Sequence, residues 1–295
     1  MGLTRSGPVL PLLLLVVTGC AAGAPAGTAG GPAPASPSAT ATAKSLEEQE
    51  RAAEEWKAAC MKRKGFRYVP FVPKRPKTAD AAKLDNGDYE ATKRYRAKYG
   101  FHAFAALVMP KDPQANPASM YDDNPNDKIT SKLSESQAAS YFKASEKCFV
   151  ERVKAETGKT VKGYVDHSEQ YSKAWEAVTA RLLDGDARLA DLAVAYADCL
   201  KGQGIKVTSA KPSKIGRAAS DLIFDELWAL GKKQYPKATM NYMPRMTPEE
   251  AKPYFAKEVR TALADLDCGR EFDEAARPKQ KEVGEIMDRE WGRGI

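Results

Sequence analysis

Cys60-Met61-Lys62-Arg63-Lys64-Gly65-Phe66 and Cys199-Leu200-Lys201-Gly202-Gln203-Gly204-Ile205 carry one pattern twice: a cysteine, a glycine five residues on, then an apolar residue. A helix commonly stops on a residue in the left-handed conformation, where the absent Cβ makes glycine the cheapest choice. Each stretch therefore reads as the last turn of a helix with Gly65 or Gly204 as its stop. Upstream of the second, Leu189, Leu192, Tyr196, Cys199 and Leu200 fall on one helical face. Upstream of the first, Trp56 and Cys60 do the same, behind a capping box of Ser45 and Glu48. Both cysteines are expected to point into a core.

A second self-match follows each of these. Ser134-Glu135-Ser136-Gln137-Ala138 through Tyr141-Phe142 aligns with Thr247-Pro248-Glu249-Glu250-Ala251 through Tyr254-Phe255. The cap residue, the Gln or Glu three later and the Tyr-Phe pair coincide, so each marks a helix start. Both helices run on to a cysteine, Cys148 in one and Cys268 in the other, at distances from the cap that differ by about two helical turns. The order of matches predicts two related helical units, 44–164 and 165–295, each stapled between an early and a late helix. That arrangement pairs Cys60 with Cys148 and Cys199 with Cys268, one of the three connectivities that four cysteines allow.

Working outward to the start of the chain, residues 1–19 have the parts of a secretory signal: Arg5, an apolar run from Val9 to Val17, and small residues after it. The run is shorter than the roughly 20 apolar residues that span a bilayer. Val17-Thr18-Gly19-Cys20 resembles the bacterial lipobox, which implies cleavage before Cys20 and a fatty-acylated cysteine at the new terminus. At about 0.8 kcal/mol per buried methylene, two acyl chains hold a protein firmly on a membrane. An ordinary cleavage near Ala24 or Ala26, which would release the chain, is the alternative. From Ala21 to Ala43 every residue is Ala, Gly, Pro, Ser or Thr, a composition that cannot bury a core and reads as a disordered tether over 20–43.

The mature remainder is rich in Ala, Glu, Lys, Leu and Arg and poor in strand formers, so the expected class is mainly α. Cys60-Met61-x3-Gly65-Phe66-x-Tyr68, Tyr99-Gly100-Phe101, Asn124-Pro125-Asn126 with Leu133-Ser134, and Ala264-Asp265-Leu266-Asp267-Cys268 together resemble uncharacterised secreted lipoproteins of Streptomyces and related actinomycetes. The resemblance spans most of the mature chain. Its motifs are structural, so it implies a helical envelope protein and carries over no catalytic residue.

Short matches to enzyme motifs fail on their second requirement. Ser140-Tyr141-Phe142-Lys143 has the spacing of penicillin-binding enzymes without the Ser-Asp-Asn or Lys-Thr-Gly that should follow. Gly158-Lys159-Thr160 ends like a phosphate loop, but Val153 stands where its first glycine belongs. Asp122 to Asp127 starts like a calcium loop that lacks its glycine and its final glutamate. No CxxC pair is present and neither histidine lies near a cysteine, so no metal and no cofactor is expected. Ser168 reads as a helix cap leading into 169–183, which leaves His167 in an exposed loop, and His102 reads as a packed histidine beside Tyr99 and Phe101.

The formal charge is +7, and it is concentrated. Between Lys57 and Lys98 stand 13 Lys and Arg against 4 Asp and Glu. Interleaved aromatics make Arg63, Lys64, Arg67, Arg94 and Arg96 candidate contacts for an anionic wall polymer, a lipid headgroup or an acidic protein. Nucleic acid would fit the charge but not the compartment. The expected protein is thus a non-enzymatic binding or envelope-interaction lipoprotein on the outer face of the cytoplasmic membrane. Its rival is a cell-wall-modifying hydrolase drawing its acid and base from the carboxylates and His102.

Overall fold

Three capping boxes, Ser45 with Glu48, Ser134 with Gln137 and Thr247 with Glu250, start the three helices that frame the molecule. In each, the cap hydroxyl accepts the backbone N–H three residues on and that residue's side chain returns to the cap backbone, so two orphan donors are satisfied at once. The computed structural model describes residues 45–75, 80–238 and 242–292, without the side chain of residue 118. The signal segment, Cys20 and the tether lie outside the described residues.

The chain is helical, with no strand among the described residues. In order come α1 (Leu46–Arg63), α2 (Ala81–Asp85), α3 (Tyr89–Tyr99), α4 (Ala105–Val108), α5 (Pro125–Thr130) and α6 (Glu135–Thr157). They are followed by α7 (Tyr164–Thr179), α8 (Ala187–Gly202), α9 (Pro212–Ile215), α10 (Ala218–Gln234) and α11 (Pro248–Trp291). The first cysteine helix and the second both end as the glycine pattern predicts: Gly65 has φ 81° and Gly204 φ 75°.

Residues Lys44–Ile295 form one compact unit, organised by the 44 residues of α11, against which α3, α4, α7 and α8 all pack. Its buried stripe of Phe272, Ala276, Val283, Met287 and Trp291 meets Leu189, Ala193, Tyr196, Ala197 and Leu200 of α8. Each large apolar side chain removed from water here contributes about 1.5 to 3 kcal/mol. Gly269 permits the closest approach of the two helices, since a Cβ there would lie 2.6 Å from the Tyr196 ring. A second core joins α1 to α6 through Cys60, Met61, Tyr141, Ala144 and Cys148, with Trp56, Phe66 and Tyr68 around it.

Both expected disulfides are present, Cys60–Cys148 and Cys199–Cys268, with Cα separations of 5.8 and 5.5 Å. They differ in setting. Cys60 and Cys148 are fully buried, whereas Cys199 is exposed and Cys268 half-buried. The expectation that both early cysteines point into a core therefore holds for Cys60 and fails for Cys199. On α8 the buried positions are 189, 193, 196, 197 and 200, so residue 199 sits at the edge of the stripe and bridges the α8/α11 seam from outside.

Sequence reasoning also misplaced the start of α7. The helix begins at Tyr164, with Ser168 inside it and His167 buried. The turn before it is held by the Asp166 carboxylate, which accepts the Lys162 N–H at 2.8 Å. That leaves His167 packed among Phe149, Tyr171 and Trp291, and its burial pulls its pKa down.

Candidate functional site

The site is built on a buried polar corner where α3, α8 and α11 meet. Arg96 of α3 donates to the Asp265 carboxylate at 2.7 Å and to the Ala262 carbonyl at 2.9 Å. Tyr196 of α8 donates to the other Asp265 oxygen. Burial pushes the Asp265 carboxyl up, against the downward pull of Arg96 and Tyr196. One paired, hydrogen-bonded charge thus ties three helices together, which is the condition under which a buried carboxylate is tolerated.

Two helical turns further along α11 lies Asp273, which looks outward from this corner into a cleft of about 570 Å³. One wall comes from Trp175, Glu176 and Thr179 at the end of α7 and from a π-turn over Ala180–Asp184. Phe272, Asp273, Gln280 and Val283 of α11 line the cleft as well, as do Lys211 to Lys214, Gly216 and Arg217. Arg96, from the buried polar corner, completes the lining. The wider winding of a π-turn re-aims side chains relative to the α-helix before it, and such turns concentrate at functional sites. Here Leu183 turns into the core and Asp184 turns to hold α9, accepting the Ser213 N–H and hydroxyl, each at 2.8 Å.

Several groups in the cleft are open to a ligand, although the Trp175 ring stacks on Tyr171 at 6.2 Å between centroids. Trp175 is 38% exposed. Asp273 accepts no hydrogen bond among the described residues, and burial together with the neighbouring Asp265 charge pushes its carboxyl up to about 6, with Arg96 and Arg277 pulling the other way. Lys211 and Arg217 form no ion pair among the described residues, while Lys214 reaches Glu176 only at 3.4 Å. Volume, an apolar wall and a few convergent polar groups are the features of a ligand pocket. Among the described residues no group of three His, Cys, Asp or Glu is placed to hold a metal.

The residues singled out from sequence lie elsewhere or play another part. Arg63 and Lys64 share Glu151, at 4.0 and 2.7 Å. Arg94 pairs with Asp80 at 2.8 Å, Arg96 is the structural cation described above, and Arg67 stands exposed. Four of the five candidate anion contacts are therefore held by carboxylates of the chain itself. His102 is packed, as expected: its Nε2 lies 2.9 Å from the Tyr95 hydroxyl and its ring stacks on Tyr99. It takes a left-handed φ of 67° because Glu258, fully buried, gathers the surrounding loop by accepting the N–H groups of Phe101, Ala103 and Phe104 at 2.7 to 2.8 Å. His102 does not line the cleft. Cys20 lies outside the described residues, and no helix among them is long and apolar enough to cross a membrane.

Nothing in the sequence flagged Trp175, Lys211, Arg217 or Asp273; the nearest signal was the Lys211-Pro212-Ser213-Lys214 turn, which reads as a helix start and no more. No protein-family model matches the chain, and no curated protein or solved structure matches it either.

Proposed function

We propose that the protein is a lipid-anchored, non-enzymatic binding protein of the bacterial envelope and that its ligand occupies the cleft between the π-turn and α11. The observation that carries this reading is the convergence on one cleft of about 570 Å³ of an exposed indole, Trp175, two cations without an ion pair among the described residues, Lys211 and Arg217, and a carboxyl that accepts no hydrogen bond among them, Asp273. The basic stretch from Lys57 to Lys98 supports it less well, because its arginines are largely paired within the chain.

The test uses the chain carrying Cys20→Ser with an ordinary cleavable signal in place of residues 1–19, which keeps the folded part intact and frees it from the membrane. A ligand at one hundred times its Kd stabilises the folded state by about 2.7 kcal/mol. An envelope extract should raise the melting temperature of this protein, and Trp175→Ala with Arg217→Gln should abolish the rise. A rise that survives both substitutions would place the ligand elsewhere and overturn the reading.

A wall-modifying hydrolase is the second reading, favoured by one observation: a partly buried carboxyl near pKa 6 facing a cleft suits a general acid. Its partner carboxylate would have to be Glu176 or Asp184, and both already hold other groups. Release of soluble fragments from isolated walls by the wild type but not by Asp273→Asn would establish it over simple binding.

A further inference from the structure

The cleft is not alone. A second depression of about 480 Å³ adjoins it, and Lys211 and Lys214 line both. The two lysines form a saddle with Trp175, Asp273 and Arg217 on one side and Lys206, Thr208, Ser209 and Asp221 on the other. A ligand confined to either depression would leave the saddle at its edge; a longer one would cross it. Lys206, like Lys211, has no ion pair among the described residues, and both side chains are exposed.

We infer that the two depressions are one groove and that its occupant is an oligosaccharide chain bearing phosphate or carboxylate groups, with an anionic group resting on Lys211 and Lys214 and sugar units lying to either side. The inference rests on the binding-protein reading above and names its ligand class. Three features select this class. An exposed indole offers an aromatic face to the apolar side of a sugar ring, while hydroxyls bond to the surrounding polar atoms. Asp273 and, across the saddle, Thr208 and Ser209 supply acceptors for sugar hydroxyls without covering the groove in one sign of charge. The cations are few and local: Lys206, Lys211 and Arg217 form no ion pair among the described residues, and Lys214 meets Glu176 only at 3.4 Å. Asp221 and Asp225 line the same groove, which suits spaced anionic groups and not the dense, regular phosphates of a nucleic acid.

Calorimetric titration of the Cys20→Ser protein decides it. The probes are tetragalacturonate for the carboxylate form, a pentamannose bearing one phosphate for the phosphate form, chitotetraose as an uncharged chain, and galacturonate as a single unit. At least one anionic chain should bind roughly tenfold or more tighter than the single unit and than chitotetraose. Lys211→Gln with Lys214→Gln should remove roughly that same factor, and Lys206→Gln should weaken the chain without touching the single unit. Which anionic probe binds identifies the source of the charge.

Equal affinity for chain and single unit would overturn the continuous groove, and equal affinity for charged and uncharged chains would overturn the anionic assignment. Failure of every saccharide overturns the ligand class. The binding-protein reading then stands or falls separately on the melting shift given by the envelope extract.

Discussion

Replacing Asp273 with Asn keeps the shape of the cleft and removes a charge that the fold holds at a cost. The groups facing this carboxyl are Arg96 from α3, Tyr196 from α8, and Asp265 and Arg277 on its own helix. Burial and Asp265 dominate, and the carboxyl stands at about 6 instead of its ordinary 3.8. A raised carboxyl holds its proton in the folded state while the unfolded chain has already lost it. Its favourable contribution is therefore complete below pH 3.8, is shed as the pH rises to about 6, and is replaced above that by a constant penalty. At about 1.4 kcal/mol per pH unit the displacement corresponds to a ceiling of about 3 kcal/mol. Partial exposure of Asp273 screens this, and about 1 to 2 kcal/mol is the realistic figure. Asp273→Asn should thus stabilise the protein by that amount at pH 7.5, a rise of about 2 to 8 °C in melting temperature for a chain of this size. The gain should shrink through pH 6 to 4 and vanish near pH 3. A variant no more stable than wild type at pH 7.5, or a difference that does not change with pH, would refute the reasoning. Stability gained by deleting a cleft residue is the signature of a position kept for function.

Glu258→Gln presents an amide NH₂ to backbone donors that now meet a carboxylate, and should cost about 2 to 3 kcal/mol in urea unfolding at pH 7. Gly269→Ala drives a Cβ to within 2.6 Å of the Tyr196 ring, and the forced separation of α8 from α11 should lower stability by about 1 to 3 kcal/mol. Under graded reductant, thiol trapping should find Cys199 and Cys268 modified well before Cys60 and Cys148, because only the former pair is accessible. Removing either bridge closes one fewer loop, 69 or 88 residues long, and should cost about 4 to 5 kcal/mol in the chain-entropy account.

What could be read from sequence was local. The three capping boxes, the two glycine stops and the cysteine pairing each depend on residues a few positions apart, or on a pattern repeated along the chain. Face assignment was less secure: Cys199 lies one position from Leu200 and three from Tyr196, so a helical wheel could not separate the inside of the stripe from its edge. The start of α7 was missed because an Asp166 side chain bonding back to Lys162 replaces the usual cap, and Ser168 offered a more familiar one. Charge counting located a basic stretch but not the partners of its arginines, since Asp265 lies 169 residues from Arg96. The cleft itself was beyond reach. It arises where a π-turn, a one-turn helix and the middle of α11 come together, and neither a π-turn nor a tertiary contact leaves a mark in hydrophobic periodicity.

Hydrogen–deuterium exchange of the Cys20→Ser protein, with and without solubilised envelope polysaccharide, tests the central claim most directly. The account predicts slowed exchange over residues 175–184 and 206–217 and along the middle of α11. Protection confined to the basic stretch between Lys57 and Lys98, or no protection anywhere, would contradict it.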